Sequence, residues 1–354
     1  MTPNPKSNGR SLSVANKPTA ARAWCRVDLA GGTLDIWPLG VLHSSSRTVN
    51  VAIDLAVEVE LSPSPDSYVV IQGESMVEAD SAGGLVASEE SALVGLIAGE
   101  LELPPVEIRV RSASPRGGGL GASSALAVAL IAASENYLGR SASGAAERSA
   151  LARDLEARLM GLPTGTQDHY PALLGGVLEV EHRAGGERVR RLDVDLDLLA
   201  ESLVVAYTGQ SHFSAGNNWR IVRRRLDGDP ETVELFDGIR DVTVELPAVL
   251  EAGDLEEAGR LMSREWSCRR RLAEGVSTPV IESLLERSMT AGAWGGKVCG
   301  AGGGGSIALL APPERRQVVV EALADGGAQV LPARPTDGAL RVESISPATP
   351  APGS

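Results

Sequence analysis

The chain has 354 residues, enough for two domains at roughly 100 to 200 residues each, and its 43% hydrophobic and 22% charged content suits a globular protein rather than a disordered, collagenous or membrane chain. A formal charge of -13 opposes phosphate backbones and anionic lipid surfaces, so neither nucleic acid nor a membrane is expected as a partner. Cys25, Cys268 and Cys299 supply no disulfide framework and no C-x-x-C knuckle, and His43, His169, His182 and His212 form no H-E-x-x-H pattern, so zinc is not expected.

Residues 1–20 are rich in Pro, Ser, Asn and Lys without a continuous apolar stretch, which reads as a disordered tail rather than a secretory signal and puts the protein in the cytoplasm. Cys25, Val27 and Leu29 alternate with Arg26 and Asp28, the pattern of a half-buried strand with its charges outward. Thr48 to Leu61 is the cleanest such pattern: Val49, Val51, Ile53, Leu55, Val57, Val59 and Leu61 on one face, Asn50, Asp54, Glu58 and Glu60 on the other. Val106, Ile108 and Val110 repeat it, implying a mainly antiparallel sheet. A helix should run from Ala122 to about Leu138 and another from about Gly144 to Met160, with Leu151, Leu155 and Leu159 at i, i+4 spacing. The apolar run Ala125 to Ala133 is far shorter than the roughly 18 residues of a membrane span. Two strands around Ala184-Gly185-Gly186 follow. From Leu203 come a strand, helices at about 214–226, 230–252, 254–273 and 279–291, a Gly-rich turn at 300–305, strand Ser306 to Leu310, a helix opened by Pro312 and Pro313, and closing strands. The folded body then divides into residues 21–200 and 201–345, with a Pro/Ala/Ser-rich tail at 346–354.

The most informative segment is Ser114 to Ala125, S-P-R-G-G-G-L-G-A-S-S-A, between a strand and an apolar helix. Glycines let backbone N–H groups converge on an anion, and the free N–H groups and dipole of the helix start favour a phosphate there. The bland alternative is a glycine loop before an ordinary Ser-capped helix. A Rossmann reading lacks the parallel βαβ unit and the acidic residue after the next strand, and a Walker A reading fails because Val298 follows Lys297 and no glycine stands five positions before Gly296. A second run, Gly295 to Gly305, lies in the other half of the chain, which suggests a site between the halves. Its bland reading is a tight connector.

Three segments in this order, Arg26-Val-Asp-Leu-Ala-Gly-Gly-Thr-Leu-Asp35, Pro115 to Ala125 and Lys297 to Ser306, resemble the motifs of the GHMP kinase superfamily (galactokinase, homoserine kinase, mevalonate kinase, phosphomevalonate kinase). The resemblance implies an α+β, two-domain fold, with an N-terminal ribosomal protein S5 domain 2-like unit and a C-terminal ferredoxin-like unit. It also implies ATP and Mg2+, a small-molecule acceptor and a monomer or homodimer. Where galactokinases often carry Gly-Glu-His, this chain reads Gly31-Gly32-Thr33, similar to the sugar-phosphate branch that includes heptose 7-phosphate kinases.

Residue by residue, the resemblance gives nucleotide binding to Pro115, Gly117, Gly118, Gly119, Leu120, Gly121, Ala122, Ser123 and Ser124, and Mg2+ to Ser124 and Glu156. It makes Asp168 the carboxylate that orients or deprotonates the acceptor hydroxyl and Arg26 its basic neighbour. Asp35, nine residues after Arg26, matches an aspartate that binds sugar hydroxyls, and Gln167, Gly302, Gly303 and Gly304 are further substrate-binding candidates. The plain alternatives are a surface charge for Arg26, an Asx-turn for Asp168, a turn residue before Pro38 for Asp35 and a salt bridge to arginine for Glu156. Lys297, the only lysine outside the N-terminal tail, fits either phosphate neutralisation or a structural contact. The polar stretch Thr208 to Trp219 and the arginines at 220, 223–225 and 269–271 could meet a substrate, though such clusters are usually solvated helix faces. The reading is a GHMP-type kinase acting on a sugar or sugar phosphate; its rivals are a mevalonate-type kinase, a catalytically silent sugar- or nucleotide-binding module and, weakest, an oxidoreductase.

Overall fold

A computed structural model describes residues 16–211 and 215–346. The expected tails fall outside the described residues except for 16–20 and Ser346, and the first strand already begins at Thr19. In chain order the elements are β1 (Thr19–Ala30), α1 (Leu39–Leu42), β2 (Arg47–Pro63), β3 (Tyr68–Gln72), β4 (Ser75–Ala79), α2 (Ala82–Val86), α3 (Ala92–Glu100), β5 (Val106–Ser112), α4 (Ala122–Tyr137), α5 (Ala145–Met160), α6 (His169–Leu174), β6 (Val177–Arg183) and β7 (Gly186–Arg191). There follow α7 (Leu196–Ser202), β8 (Leu203–Tyr207), α8 (Ala215–Leu226), α9 (Pro230–Glu251), α10 (Leu255–Arg269), α11 (Pro279–Thr290), β9 (Gly295–Val298), β10 (Ser306–Leu310), α12 (Pro313–Asp325), β11 (Gln329–Val330) and β12 (Arg341–Ser344).

Among the described residues two sheets form, one in the order β12-β1-β2-β5-β3-β4 with β6 and β7 branching from β2, the other β11-β8-β10-β9. Pairing is antiparallel throughout except between β3 and β5. Strand β2 is long enough to pair with β1 along one edge and with β6 and then β5 along the other. Helices α4, α5 and α6 pack over one face, and α9 and α10 reach β1 and β2 from the second unit. The closing strand β12, expected in the C-terminal half, pairs with β1 and returns the chain to the first sheet.

That second cover corrects the reading of β1 and β2. Arg26, Asp28 and Asn50, placed on a solvent face by their alternation, are all buried. Alternation is a rule for a sheet with one wet face, and here the face is wet only beyond Ala52, where Asp54 is exposed and Glu58 and Glu60 are half-buried. Leu159, read as part of an apolar helix face, is exposed on the last turn of α5, as is Met160, whereas Ala152, Leu155 and Glu156 are buried.

Helix limits follow local chemistry. Helix α5 opens where Glu147 Oε2 accepts the Gly144 N–H at 2.8 Å and closes on Gly161 at φ 64°. Asp229 caps α9 and Thr278 caps α11, each followed by proline at the first helical position. Strand β9 hides in the sequence Gly-Gly-Lys-Val because its glycines serve close packing: a Cβ on Gly295 would overlap the Gly259 carbonyl of α10.

Candidate active site

The loop from Pro115 to Gly121 carries the chain from β5 into α4. Gly121 sits at φ 74°, left-handed backbone that disfavours a side chain. The first helical bond runs from Ala125 N to Gly121 O at 2.9 Å, so the N–H groups of Ala122, Ser123 and Ser124 have no acceptor within the helix. At the end of a 16-residue helix they form a candidate anion cradle. A Cβ on Gly121 would lie 3.3 Å from Asp168 Cβ and 3.4 Å from Arg26 Cγ, which puts the cradle directly against this pair.

Arg26 Nη2 stands 2.6 Å from Asp168 Oδ1 and its Nε donates to the same oxygen at 2.8 Å. Nη1 donates to Gly119 O at 2.6 Å, and Arg26 N donates to Leu120 O at 2.9 Å. Burial works against the guanidinium charge, but Asp168 and Asp28 outweigh it and hold the Arg26 pKa above its ordinary value. Asp168 precedes α6 without capping it, so its carboxylate serves Arg26 and the open side of the site rather than an Asx-turn; a quarter of its side chain is exposed.

Beside the cradle, Ser124 Oγ donates to Glu156 Oε1 at 2.9 Å, and Glu156 Oε2 meets His169 Nε2 at 2.9 Å. Glu156 thus pairs with a histidine, not an arginine. Burial disfavours the His169 cation, yet Glu156 overcomes it and raises the pKa. On the other side of Asp168, Asp35 Oδ2 accepts the Gln167 N–H at 3.0 Å, while Oδ1 is buried without a protein partner. Burial, chiefly, raises its carboxyl to about 6, with Asp168 adding to the shift and the Gln167 amide opposing it. Gly165 is required here, since a Cβ would overlap the Asp35 carboxylate.

The second Gly-rich run closes over the first. A Cβ on Gly300 would meet Gly119 at 3.3 Å, one on Gly305 would meet Gly118 O at 3.1 Å, and Thr208 Oγ1 donates to Gly305 O at 2.8 Å. Gly303 N is spent on Val276 O at 2.7 Å, and Gly302 and Gly304 are buried beside it, so this part of the run supports the loop while its Gly303 donor is occupied. A cavity of about 530 Å3 is lined by Gln72, Glu74, Val110, Ser112, Ser114 and Arg116, the last two at the start of the Gly-rich loop.

Lys297 takes the structural alternative. It is fully buried, with Nζ 2.9 Å from Asp28 Oδ2 and 3.2 Å from Glu265 Oε1, and offers no charge to a phosphate. Of the arginine clusters, Arg224, Arg225, Arg270 and Arg271 are tied to Asp229, His43, Glu282 and Glu231, whereas Arg269 is buried against Glu265 and the Gly32–Thr33 turn. Of the polar stretch after β8, His212, Phe213 and Ser214 lie outside the described residues. Sequence reasoning gave no role to His169, Asp28 or Glu265. The signals were present in the Asp168-His169 adjacency, in the i, i+4 pair Glu265 and Arg269, and in the survival of a single body lysine.

Two family models match the chain, GHMP kinases N terminal domain over residues 89–176 and GHMP kinases C terminal over residues 246–329. A mevalonate kinase of Methanothermobacter thermautotrophicus is 31% identical over 73% of this chain and 81% of its own. The chain belongs to the GHMP kinase family. As a GHMP kinase it is a phosphotransferase. Another relative, the D-glycero-alpha-D-manno-heptose 7-phosphate kinase of Campylobacter jejuni, is 25% identical over 84% of this kinase and 91% of its own length. The fold is shared with a D-glycero-D-manno-heptose 1-phosphate kinase of Bacteroides thetaiotaomicron at TM-score 0.73 and 23% identity, covering 93% of this chain and all of the other. No helix among the described residues of this kinase is long and apolar enough to cross a membrane.

Proposed function

We propose that the protein transfers the γ-phosphoryl group of ATP to a hydroxyl of a sugar or sugar phosphate. The observation that carries this is the position of Asp168: bound to Arg26, it faces the phosphate cradle at Gly121 on one side and lies one residue from Gln167, the anchor of Asp35, on the other. A catalytic carboxylate thus stands between an anion site and a second carboxylate suited to hydroxyl donors.

The N–H groups of Ala122, Ser123 and Ser124 hold the phosphates, and the adjoining cavity takes the base and ribose. The acceptor oxygen attacks the γ-phosphorus and its proton passes to Asp168. The bond from phosphorus to the β,γ-bridging oxygen breaks, and the electron pair leaves with ADP. Arg26 holds the Asp168 carboxylate in position through two contacts to Oδ1, and Asp35 accepts hydrogen bonds from acceptor hydroxyls. Ser124 and Glu156 fit Mg2+: both side chains are buried oxygen donors in mutual contact, and among the described residues no group of three or more His, Cys, Asp or Glu forms a protein-only cage. When bound, the ion neutralises phosphate charge, and these two residues would fix its place beside the cradle.

A second reading, a mevalonate-type acceptor, draws on the 31% identity to mevalonate kinase. Asp35 and the longer alignment with the heptose 7-phosphate kinase favour the sugar. ADP release from Mg·ATP across L-fucose, D-galactose, heptose 7-phosphate, mevalonate and homoserine decides between them. Turnover restricted to the polyols is the expected outcome, and turnover on mevalonate alone would replace the sugar by the rival.

A further inference from the structure

The first-motif turn Gly31-Gly32-Thr33 is held from the other half of the chain. Glu265 and Arg269 lie one helical turn apart on α10. Glu265 Oε1 accepts the Gly31 N–H at 3.3 Å; Arg269 donates to the Gly32 carbonyl and, at 3.0 Å, to Thr33 Oγ1. Arg269 Nε donates to Glu265 Oε1 at 2.8 Å, and Lys297 completes the charge balance between Glu265 and Asp28. Three consecutive residues of one turn are therefore gripped by two side chains of a helix more than 230 positions later.

A merely structural contact would not need this chemistry. Burying four charged groups has a desolvation cost that apolar residues of similar volume avoid. The gripped turn is also unfavourable in itself, because Thr33 is β-branched and sits at φ 75°, a region such residues rarely enter. Two residues after Thr33 comes Asp35, whose carboxylate meets Gln167 beside Asp168. Fixing Thr33 fixes where Asp35 points.

We propose that Arg269, paired with Glu265, is a positioning residue that holds the Gly31–Thr33 turn and thereby sets the affinity for the acceptor, but not for the nucleotide. The inference rests on the kinase reading above. It assigns a C-terminal residue to the acceptor side of a site otherwise built from the N-terminal half.

The test uses the full-length protein and the variants Arg269→Lys, Thr33→Val and Thr33→Asn. Steady-state KM is measured separately for Mg·ATP and for heptose 7-phosphate, or for whichever of L-fucose, D-galactose and mevalonate turns over. Amide hydrogen exchange is compared between residues 31–36 and 117–124. Loss of a hydrogen bond to a charged group should raise acceptor KM about tenfold in Arg269→Lys and Thr33→Val, with ATP KM within about twofold of wild type. Exchange should quicken at 31–36 and not at 117–124. Thr33→Asn keeps an acceptor oxygen and tolerates left-handed backbone, so it should retain the wild-type acceptor KM. Equal rises in both KM values, a fall in kcat alone, or a Thr33→Val variant indistinguishable from wild type would overturn the assignment. If Arg269→Lys does not fold, the contrast between Thr33→Val and Thr33→Asn decides. A wild-type protein that phosphorylates none of the acceptors sinks the kinase reading by itself. In that case exchange still judges the clamp: unchanged rates at 31–36 in both Arg269→Lys and Thr33→Val overturn it, and faster rates support it.

Discussion

Asp35 titrates at about 6 rather than at the ordinary 3.8, because burial penalises its charge and Asp168 adds repulsion that the Gln167 amide only partly offsets. Two consequences run in opposite directions. A carboxyl whose folded pKa is raised contributes its full stability below its unfolded pKa, and that contribution is lost as pH rises through about 6. In its proposed role, by contrast, Asp35 binds acceptor hydroxyls best as the ionised carboxylate. Acceptor kcat/KM should therefore decline about tenfold per pH unit below that point, while the fold is not weakened through this group. Asp35→Asn should lower acceptor kcat/KM at neutral pH and remove the inflection; an unchanged inflection in the variant would assign the titration elsewhere. Spacing from Arg26 and family resemblance pointed to Asp35. Its raised pKa was not legible, since it depends on Gly165 and Gln167 arriving from 130 residues away.

The loops at 115–121 and 299–305 show how far glycine patterning carries at the level of elements. Each run was readable as a phosphate-loop or connector candidate, and the helix after the first was placed at its observed start, Ala122. What the runs do to each other was not readable. Gly119 lies where a Cβ would meet Cys299 O at 2.7 Å, and Gly300 and Gly305 return that contact from the second loop. The same close packing concealed β9, whose Gly-Gly start reads as a turn until Gly259 is seen against it. Gly121 gives the sharpest test. Alanine there adds a Cβ in left-handed backbone, at a cost of about 1–2 kcal/mol, and crowds Asp168 and Arg26. Gly121→Ala should raise the KM for ATP about tenfold or more while the protein stays folded. Wild-type nucleotide affinity in this variant would mean the phosphate cradle lies elsewhere.

Across the whole molecule, the two units share an apolar core in which Val242, Leu246 and Met262 join β1 and β2, and a buried charge cluster lies beside it. Asp28 from β1, Glu265 and Arg269 from α10 and Lys297 from β9 are all buried. Burial alone would raise the Asp28 carboxyl, but Lys297, Arg269 and Arg26 together hold it below the ordinary range. Its contribution to stability is therefore present above the usual carboxylate pKa and lost as pH falls through the depressed value. Lys297→Met would deprive the buried Asp28 and Glu265 carboxylates of the ammonium they share, at a cost of about 3–5 kcal/mol, seen as a lower urea midpoint at neutral pH. A midpoint unchanged from wild type would contradict the cluster's role. This contact explains where sequence reading of the fold stopped. Period-2 patterning located β1 and β2 and their apolar face, but it could not show that a second unit covers the polar face, so Arg26, Asp28 and Asn50 were read as wet. The motifs of the candidate site are local and could be read despite that error, whereas Arg269 and Glu265 contact the first motif across most of the chain length.

In the proposed mechanism Asp168 serves phosphoryl transfer from the position Arg26 gives it. ADP release from Mg·ATP with the acceptor that turns over, comparing wild type with Asp168→Asn, alongside nucleotide binding by calorimetry, tests this role. The variant should bind nucleotide as wild type does and lose turnover by about 10²- to 10⁴-fold. Turnover undiminished in Asp168→Asn would rule Asp168 out of phosphoryl transfer.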